Sequence, residues 1–382
     1  MKKSDTKSIK ANNTALIYDC LLRGIDTRAE IAAASGLSKA TVTTITSELI
    51  AQGELREVGA DGTGAVGRPR VALDIVADYR YAVGISLHRR RLAICLVDLK
   101  FDLLDSFSVP TENFSRAEDA LDTLYDAMLS MCARHAIPVE RIIGIGISCP
   151  GPLDYRQGIV HNPPDLALFH NFHVREYLAQ KTELPIYLDN NSVLLAMYER
   201  RLRKNAHRNW VFVAVTDGIG SAIFSEGTVF RGSGGYAGEL GHTAVEAGGI
   251  PCACGNRGCL ERYISMRALR ERFGFEDYKE VAQSAERGSA DALGILAYIA
   301  DKLSVALVNC VNLFDPEAIV LYGELNEAKD QLFPMISQRI NRHSAVAAVH
   351  SVELSPSLIA ERGDLISSAD AILNAWFSRK LL

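Results

Sequence analysis

Within the stretch Gly238–Glu261, GELGHTAVEAGGIPCACGNRGCLE, four residues able to ligate a metal fall close together: His242, Cys252, Cys254 and Cys259. Two cysteines one residue apart and a third five further on, with Gly255 and Gly258 between them, make a loop tight enough to aim three thiolates inward. His242 supplies a fourth corner. Three sulfurs and one imidazole suit tetrahedral Zn²⁺, and four protein ligands leave no open position for a catalytic water, so the expected ion is structural. The alternatives are reduced thiols or a chance disulfide, and in an intracellular chain compact spacing of this kind favours metal.

Two carboxylates flank this loop. Glu239 lies three residues before His242, and Glu261 two after Cys259. Whatever fixes the loop also fixes both acids around one small volume. Carboxylates held that way accept hydrogen bonds from vicinal hydroxyls, so a sugar is the natural guest and His242 a shared contact. The competing reading is a pair of solvated surface acids, and the glycine-rich run GSGGYAGELGH around Glu239 argues against it.

The rest of the chain must position these groups. It has 382 residues, 48% of them hydrophobic, enough for two or three domains. Its start, MKKSDTKSIK, has no apolar signal core, and no run of 18 apolar residues occurs; a soluble, cytoplasmic protein without membrane contact is expected. The eight cysteines fit free thiols plus one metal site. The net charge of −5 is uneven: residues 1–70 carry ten Lys and Arg against eight Asp and Glu, the remainder 31 against 38.

In those first residues Asn12–Asn13 can cap a helix with Leu16, Ile17, Cys20 and Leu21 on one face, closed by Gly24. Thr27-Arg28-Ala29-Glu30 is a capping box opening a second helix. Gly36 turns the chain, and Ser38 caps a third helix running to about Gln52, with Val42, Ile45 and Leu49 as its core face. This is a helix–turn–helix plan. The third helix presents Ser38, Lys39, Ala40, Thr41, Thr43 and Thr44, small hydroxyl-bearing residues and one cation suited to base edges and phosphates. Strands Leu55–Val58 and Val71–Ile75 flank GADGTGAVGRPR, a wing whose Arg68 and Arg70 can reach phosphate or the minor groove. The alternative is a three-helix module for protein contact.

From Tyr79 the texture becomes α/β. Strands are expected at Tyr81–Leu87, Leu92–Leu99, Leu103–Val109, Arg141–Ser148 and Pro185–Leu188, then at Trp210–Thr216, Gly220–Ser225, Thr228–Gly232 and Ala318–Leu321. Helices are expected at Ala117–His135, near His173–Lys181, at Asp291–Leu313 and at the C-terminus. Two similar α/β lobes with a ligand cleft between them follow.

The runs G-x-x-G-x-A-G-E-x-G-H and C-x-C-G-x-x-G-C-x-E, together with Ser148-Cys-Pro-Gly-Pro152, resemble the ROK family of repressors, uncharacterised reading frames and sugar kinases. The front segment resembles the winged helix of its NagC/XylR-type regulators. The resemblance implies an α/β fold: an N-terminal winged helix–turn–helix (1–76) ahead of a two-lobed, actin-like, ribonuclease-H-type sugar-kinase body. The first lobe is 77–190, closed by the C-terminal helix 362–382, and the second, with zinc loop and sugar site, is 191–361. It also implies operator DNA as partner, bound by a homodimer or tetramer, with a sugar or sugar phosphate as effector; some members answer instead to a phosphotransferase-system protein.

Phosphotransfer is not expected. ROK kinases carry D-x-G-G-T after the first strand, and the matching Ser86-Leu-His88-Arg89-Arg90 lacks the acid and puts bulk where phosphates must approach. Their E-N-D-x-N base motif reads Asp189-Asn190-Asn191-Ser192 here, with Asn191 at the base position; loss of a general base costs about 10²–10⁴-fold. Asn190 and Asn191 remain able to bond sugar hydroxyls. Leu321-Tyr322-Gly323-Glu324 puts a ring near the place of adenosine, while Thr216-Asp-Gly-Ile-Gly220 survives. The expected protein is a sugar-responsive regulator without catalytic residues; an active kinase carrying a DNA-binding front end is the runner-up.

Overall fold

The structure is a computed structural model that describes residues 6–59, 71–164, 166–203, 207–274 and 277–378. Its contacts divide into two compact units, Met1–Asp189 with Arg362–Leu382, and Asn190–Glu361.

The chain begins with α1 (Thr6–Leu22), α2 (Arg28–Ser35) and α3 (Lys39–Ala51), followed by β1 (Leu55–Gly59) paired antiparallel to β2 (Val71–Ile75). The cap expected at Asn12–Asn13 does not form; α1 runs straight through both residues. Interior asparagines each cost roughly 0.7 kcal/mol, and burial of Ile17, Tyr18 and Leu21 outweighs that. The buried face follows Thr14, Ile17, Tyr18 and Leu21, at i, i+3, i+4 and i+7, which turns Leu16 out to 41% exposure instead of into the core. At α2 the Glu30 N–H donates to Thr27 Oγ1 (3.3 Å) and the Thr27 hydroxyl to Glu30 Oε2 (2.8 Å). Gly36 then turns the chain at φ +72°.

Only Val76 separates β2 from a 3₁₀ turn, Ala77–Tyr79, and only Arg80 separates that turn from β3 (Tyr81–Leu87). There follow β4 (Arg91–Asp98), β5 (Leu103–Pro110), α4 (Ala117–Arg134), β6 (Ile142–Cys149), the small sheet β7 (Leu153–Asp154), β8 (Ile159–Val160) and β9 (Phe172–His173), then α5 (Val174–Ala179) and β10 (Ile186–Asn190). The main sheet has the order β10-β6-β3-β4-β5, with an antiparallel β3–β4–β5 meander and β6 parallel to β3. Both faces are covered, which is why β3 and β4 are buried almost throughout. Val83, Ile85, Ile94 and Leu96 pack with Leu121, Leu124 and Met128 of α4. Ala82, Ala93, Cys95 and Val97 face the C-terminal helix and share one cluster with residues of α1–α3 and β2.

The second unit repeats the plan. It holds α6 (Asn191–Leu202), β11 (Trp210–Val215), β12 (Ile219–Ser225), β13 (Thr228–Val229), α7 (Glu261–Ile264), α8 (Met266–Phe273), α9 (Tyr278–Glu286), α10 (Ala290–Phe314), β14 (Ala318–Gly323), α11 (Lys329–His343) and β15 (Glu353–Pro356). Its sheet, β15-β14-β11-β12-β13, again joins an antiparallel meander to a parallel fourth strand. Helix α10 is long and apolar enough to cross a membrane, but its stripe Leu296, Ile299, Leu303, Leu307 and Val311 forms much of the second core.

The last helix, α12 (Gly363–Phe377), lies on the first sheet, with glycines of β3 and β6 at the closest approach. A Cβ on Gly146 would sit 1.8 Å from the Ser368 carbonyl oxygen, and one on Gly84 2.4 Å from Ser368 Oγ. Gly146→Ala must therefore push α12 off the sheet; we expect at least about 3 kcal/mol of destabilisation, read as a lowered denaturant midpoint.

Candidate functional site

Four segments of the second unit converge on the first turn of β12. Gly238, at φ +103°, carries the chain so close that a Cβ there would lie 2.7 Å from the Ser221 carbonyl oxygen; the Ser221 hydroxyl donates to the Gly238 carbonyl at 2.7 Å. Gly241 would meet the Ile219 carbonyl oxygen at 2.2 Å. Glu239 and His242 are thereby pinned to β12 by the glycines beside them. From the other side a Cβ on Gly220 would meet Ser192 Oγ, at the start of α6, at 2.0 Å. Glu261, opening α7, accepts the Ile219 N–H through Oε2 at 2.9 Å.

The loop between His242 and Glu261 closes on itself. The N–H groups of Val245 and Cys252 donate to the carbonyls of Gly258 and Asn256, and Leu260 N–H to that of Thr243. One ligand atom from each of His242, Cys252, Cys254 and Cys259 lies within 4.8 Å of all the others, a set that could hold a metal ion. Cys252 Sγ is 3.7 Å from His242 Nδ1, and Cys254 Sγ 3.6 Å from Cys259 Sγ. A tetrahedron with metal–sulfur bonds of about 2.3 Å has edges of about 3.8 Å, so the spacing fits such an ion. The Cys259 thiol is pushed up to about 12, by burial and then by its two cysteine neighbours. The Cys254 thiol is lowered instead, chiefly by a hydrogen bond from the Asn256 backbone, and a cation among the three would let them ionise together.

Glu239 retains solvent exposure, yet its carboxyl is held above the usual range, chiefly by burial, with His242 opposing and Glu261 adding to the shift. Glu261 is better anchored: its side chain is 19% exposed, and Arg267 Nη2 stands 3.9 Å from Oε1. Asn190 caps α6, and Oδ1 of both Asn190 and Asn191 accepts the Ser192 N–H, at 2.9 and 2.8 Å. Their oxygens are thus engaged in the helix start, leaving the amide NH₂ side as what Asn191 has to offer a ligand. The backbone of Gly218 and Ile219 and the side chain of Ser192 were not among the sequence-predicted site residues; Thr216-Asp-Gly-Ile-Gly220 carried the signal, but only as a common strand-end turn.

The residues at the positions where the resemblance implies a phosphotransfer site have partners of their own. Asp189 is 1% exposed and accepts the Tyr187 hydroxyl at 2.7 Å. Asp217 pairs with Arg270 at 3.0 Å. The turn of His88 to Arg90 is held by Thr111, whose hydroxyl donates to the His88 carbonyl (2.7 Å) and whose N–H donates to that of Arg90. The Tyr322 ring, expected near the place of adenosine, stacks on Phe212 in the sheet core at 5.9 Å. A Cβ on Gly323 would lie 1.9 Å from the Val215 carbonyl oxygen, so strand packing accounts for this glycine.

In the first unit Ser38 caps α3, accepting the Thr41 N–H at 3.1 Å, and the Thr43 hydroxyl donates to the Lys39 carbonyl at 2.8 Å. Ser38, Lys39, Ala40, Thr43 and Thr44 are exposed and Thr41 partly so, with Val42, Ile45 and Leu49 buried on the opposite face. Ser47, one turn beyond Thr43 and Thr44, belongs to the same exposed stripe. Arg68 and Arg70 lie outside the described residues.

A body of two α/β units with one repeated sheet topology, a Cys₃His loop and two carboxylates beside the second sheet defines the sugar-kinase-like class of α/β proteins. The chain belongs to the ROK family, whose model matches residues 82–365. It is 27% identical over 390 residues to a xylose repressor of Caldicellulosiruptor bescii, covering 97% of each chain. It is 30% identical over 361 residues to the DNA-binding transcriptional dual regulator NagC of Escherichia coli, covering 89% of this chain and 87% of that protein. A solved structure described as a ROK family transcriptional regulator, homolog of the E. coli MLC protein, superposes with a TM-score of 0.81 at 26% identity, covering 98% of both chains.

Metal at the Cys₃His loop gives a direct check. The wild-type chain should carry about one equivalent of metal, and Cys252→Ser or Cys254→Ser should lose it together with thermal stability, since the binding energy of a structural ion is folding energy. Cys132→Ser, in the first core, should leave metal content unchanged in the same elemental assay.

Proposed function

We propose that this protein is a sugar-responsive transcriptional regulator, acting as a repressor in the cytoplasm. It binds a two-fold operator as a homodimer through a winged helix–turn–helix at its front, and the third helix contributes Ser38, Lys39, Ala40, Thr41, Thr43 and Thr44 to the groove. Arg68 and Arg70 serve the wing. The observation that carries the reading is the union, in one chain, of an exposed hydroxyl-rich helix face with two carboxylates, Glu239 and Glu261, held beside one strand. Full-length similarity to proteins named as repressors supports it.

In this reading the effector is a sugar or sugar derivative, bound by Glu239 and Glu261 with His242, Asn190 and Asn191. The ion is a structural zinc. With His242 Nδ1 turned toward the cysteines, Nε2 faces away from them and is available to a hydroxyl. Phosphotransfer is absent, because Asn191 has no basic form at neutral pH and the first strand ends in Ser86 instead of a metal-binding acid. The effector changes operator affinity to the extent that it binds one arrangement of the protein better than another.

Glu239→Gln is the test. It should retain metal and operator affinity while the sugar concentration needed to change operator binding rises, by roughly 1–3 kcal/mol for a lost charged hydrogen bond. Electrophoretic shift titrations with a panel of hexoses, pentoses, amino sugars and their phosphates measure this. An unchanged response places the sugar elsewhere; ADP release with any of these sugars makes the chain a kinase.

A further inference from the structure

The chain passes between its two compact units twice, at Asp189–Asn190 and at Glu361–Arg362. The first passage opens directly into α6, whose start carries Asn190 and Asn191 and whose Ser192 lies against Gly220 of β12. The second follows β15 through Ser357, Leu358 and Ile359 and turns at Arg362, at φ +64°, into α12.

One buried side chain ties the second passage to the helix that begins at the first. Glu199, near the C-terminal end of α6, is fully buried. Its carboxylate accepts the Ser357 hydroxyl at 2.5 Å, and each of its oxygens accepts the Leu358 N–H at 3.0 Å. Arg203, one turn further along, donates Nε to Glu199 Oε1 at 2.7 Å and Nη2 to the Pro356 carbonyl at 2.6 Å. The Ser357 N–H donates to the Leu321 carbonyl of β14 at 2.8 Å, and Ile359 packs on the cluster of Val193, Leu195, Trp210 and Phe212.

Stability alone is a poor reason for this arrangement. An acid near the C-terminal end of a helix opposes the helix dipole, and a desolvated ion pair stabilises no more than well-packed apolar side chains of similar volume. What the carboxylate supplies instead is direction, because donors from two segments must meet it at fixed geometry. Glu199 stands nine residues beyond Asn190, about 13 Å along the axis at a rise of about 1.5 Å per residue. One short helix therefore joins the sugar-contacting asparagines to the second passage.

Resting on the regulator reading above, we propose that Glu199 is a positioning residue for the response to effector. With Arg203 it makes α6 and Pro356–Ile359 one body, so a displacement of Asn190 and Asn191 by a bound sugar moves both passages together. Glu199 touches neither sugar nor DNA. It passes the change from the ligand end of α6 to the segment by which the chain re-enters the first unit.

The test uses the full-length chain, a duplex enriched from a random pool by the wild type, and D-glucose, D-ribose, D-glucosamine and D-glucose 6-phosphate as probes. The probe with the largest effect should change wild-type operator affinity about 5–150-fold. Glu199→Leu combined with Arg203→Met replaces the pair by apolar groups of similar size. This double variant should bind operator and sugar separately within about twofold of the wild type, while the effect of sugar on operator affinity falls to about twofold or less. Glu199→Gln, which still offers an oxygen to the Leu358 N–H, should restore most of the effect. A double variant that keeps the full effect overturns the proposal, as does one whose sugar affinity falls in step with the response. Amide exchange on the wild type, without sugar or DNA, decides independently of any variant. Protection of Ser357 and Leu358 equal to that of the middle of α6 supports the single body, and much faster exchange at those two amides overturns it. Absence of any sugar effect on operator binding counts against the regulator reading alone, because the exchange experiment requires neither ligand.

Discussion

Close approach of backbone to backbone, allowed only by glycine, organises this molecule. At the start of β12, Gly238 and Gly241 lie against the carbonyls of Ser221 and Ile219, and Gly220 lies under Ser192. At Gly238 and Gly241 the contact is backbone on backbone, so those distances are set by van der Waals radii and not by rotamers. Glu239, His242, Glu261 and Asn191 inherit that fixity, because each is on, or immediately beside, a segment so pressed. Desolvation then keeps the Glu239 carboxyl above its usual range, with Glu261 adding to the shift, although His242 opposes it.

The metal loop is a second layer of the same device. Its hairpin hydrogen bonds and the close packing of Gly258 on the Glu246 carbonyl, 1.9 Å from where a Cβ would lie, bring the four ligand atoms together. His242 is common to both layers: its backbone belongs to the turn on β12 and its Nδ1 to the sulfur cluster. A cation held among these side chains would let the buried Cys259 thiol ionise, so ion binding would add to the stability of the loop. Loop and carboxylates are thus coupled mechanically, with no group shared except one imidazole.

The first unit uses the glycine contact differently. There it brings a helix down on a sheet, Gly84 and Gly146 beneath Ser368, and frees the far end of that helix to pack its aromatic pair against Tyr18. The front helices share a core with the sheet in consequence, and the described residues 6–59 and 71–76 lie within the same compact unit as the first α/β layer.

Strand periodicity and the cysteine spacing were legible in the sequence because both are local. Tyr81–Leu87 and the four-ligand loop depend on residues within a few positions of one another, and Thr27, Gly36 and Ser38 announce helix ends by chemistry that acts over three residues. What escaped is what distant segments decide. Asn12–Asn13 read as a cap, and lost to a hydrophobic face that continues across them. Helix α6 and the edge strand β15 went unread, the former behind the Asp189–Ser192 motif, the latter because four residues carry almost no pattern. Tyr322 read only as a ring near a ligand shelf, and its stack on Phe212 across the strand pair was not legible. The sequence by itself determined the α/β fold class, the four residues that could hold a metal and the pair of acids beside them. Only the tertiary structure decided that Ile219 and its glycine neighbours are the floor on which those acids stand, and that α12 joins the first helix to the sheet, because both rest on contacts between residues tens or hundreds of positions apart.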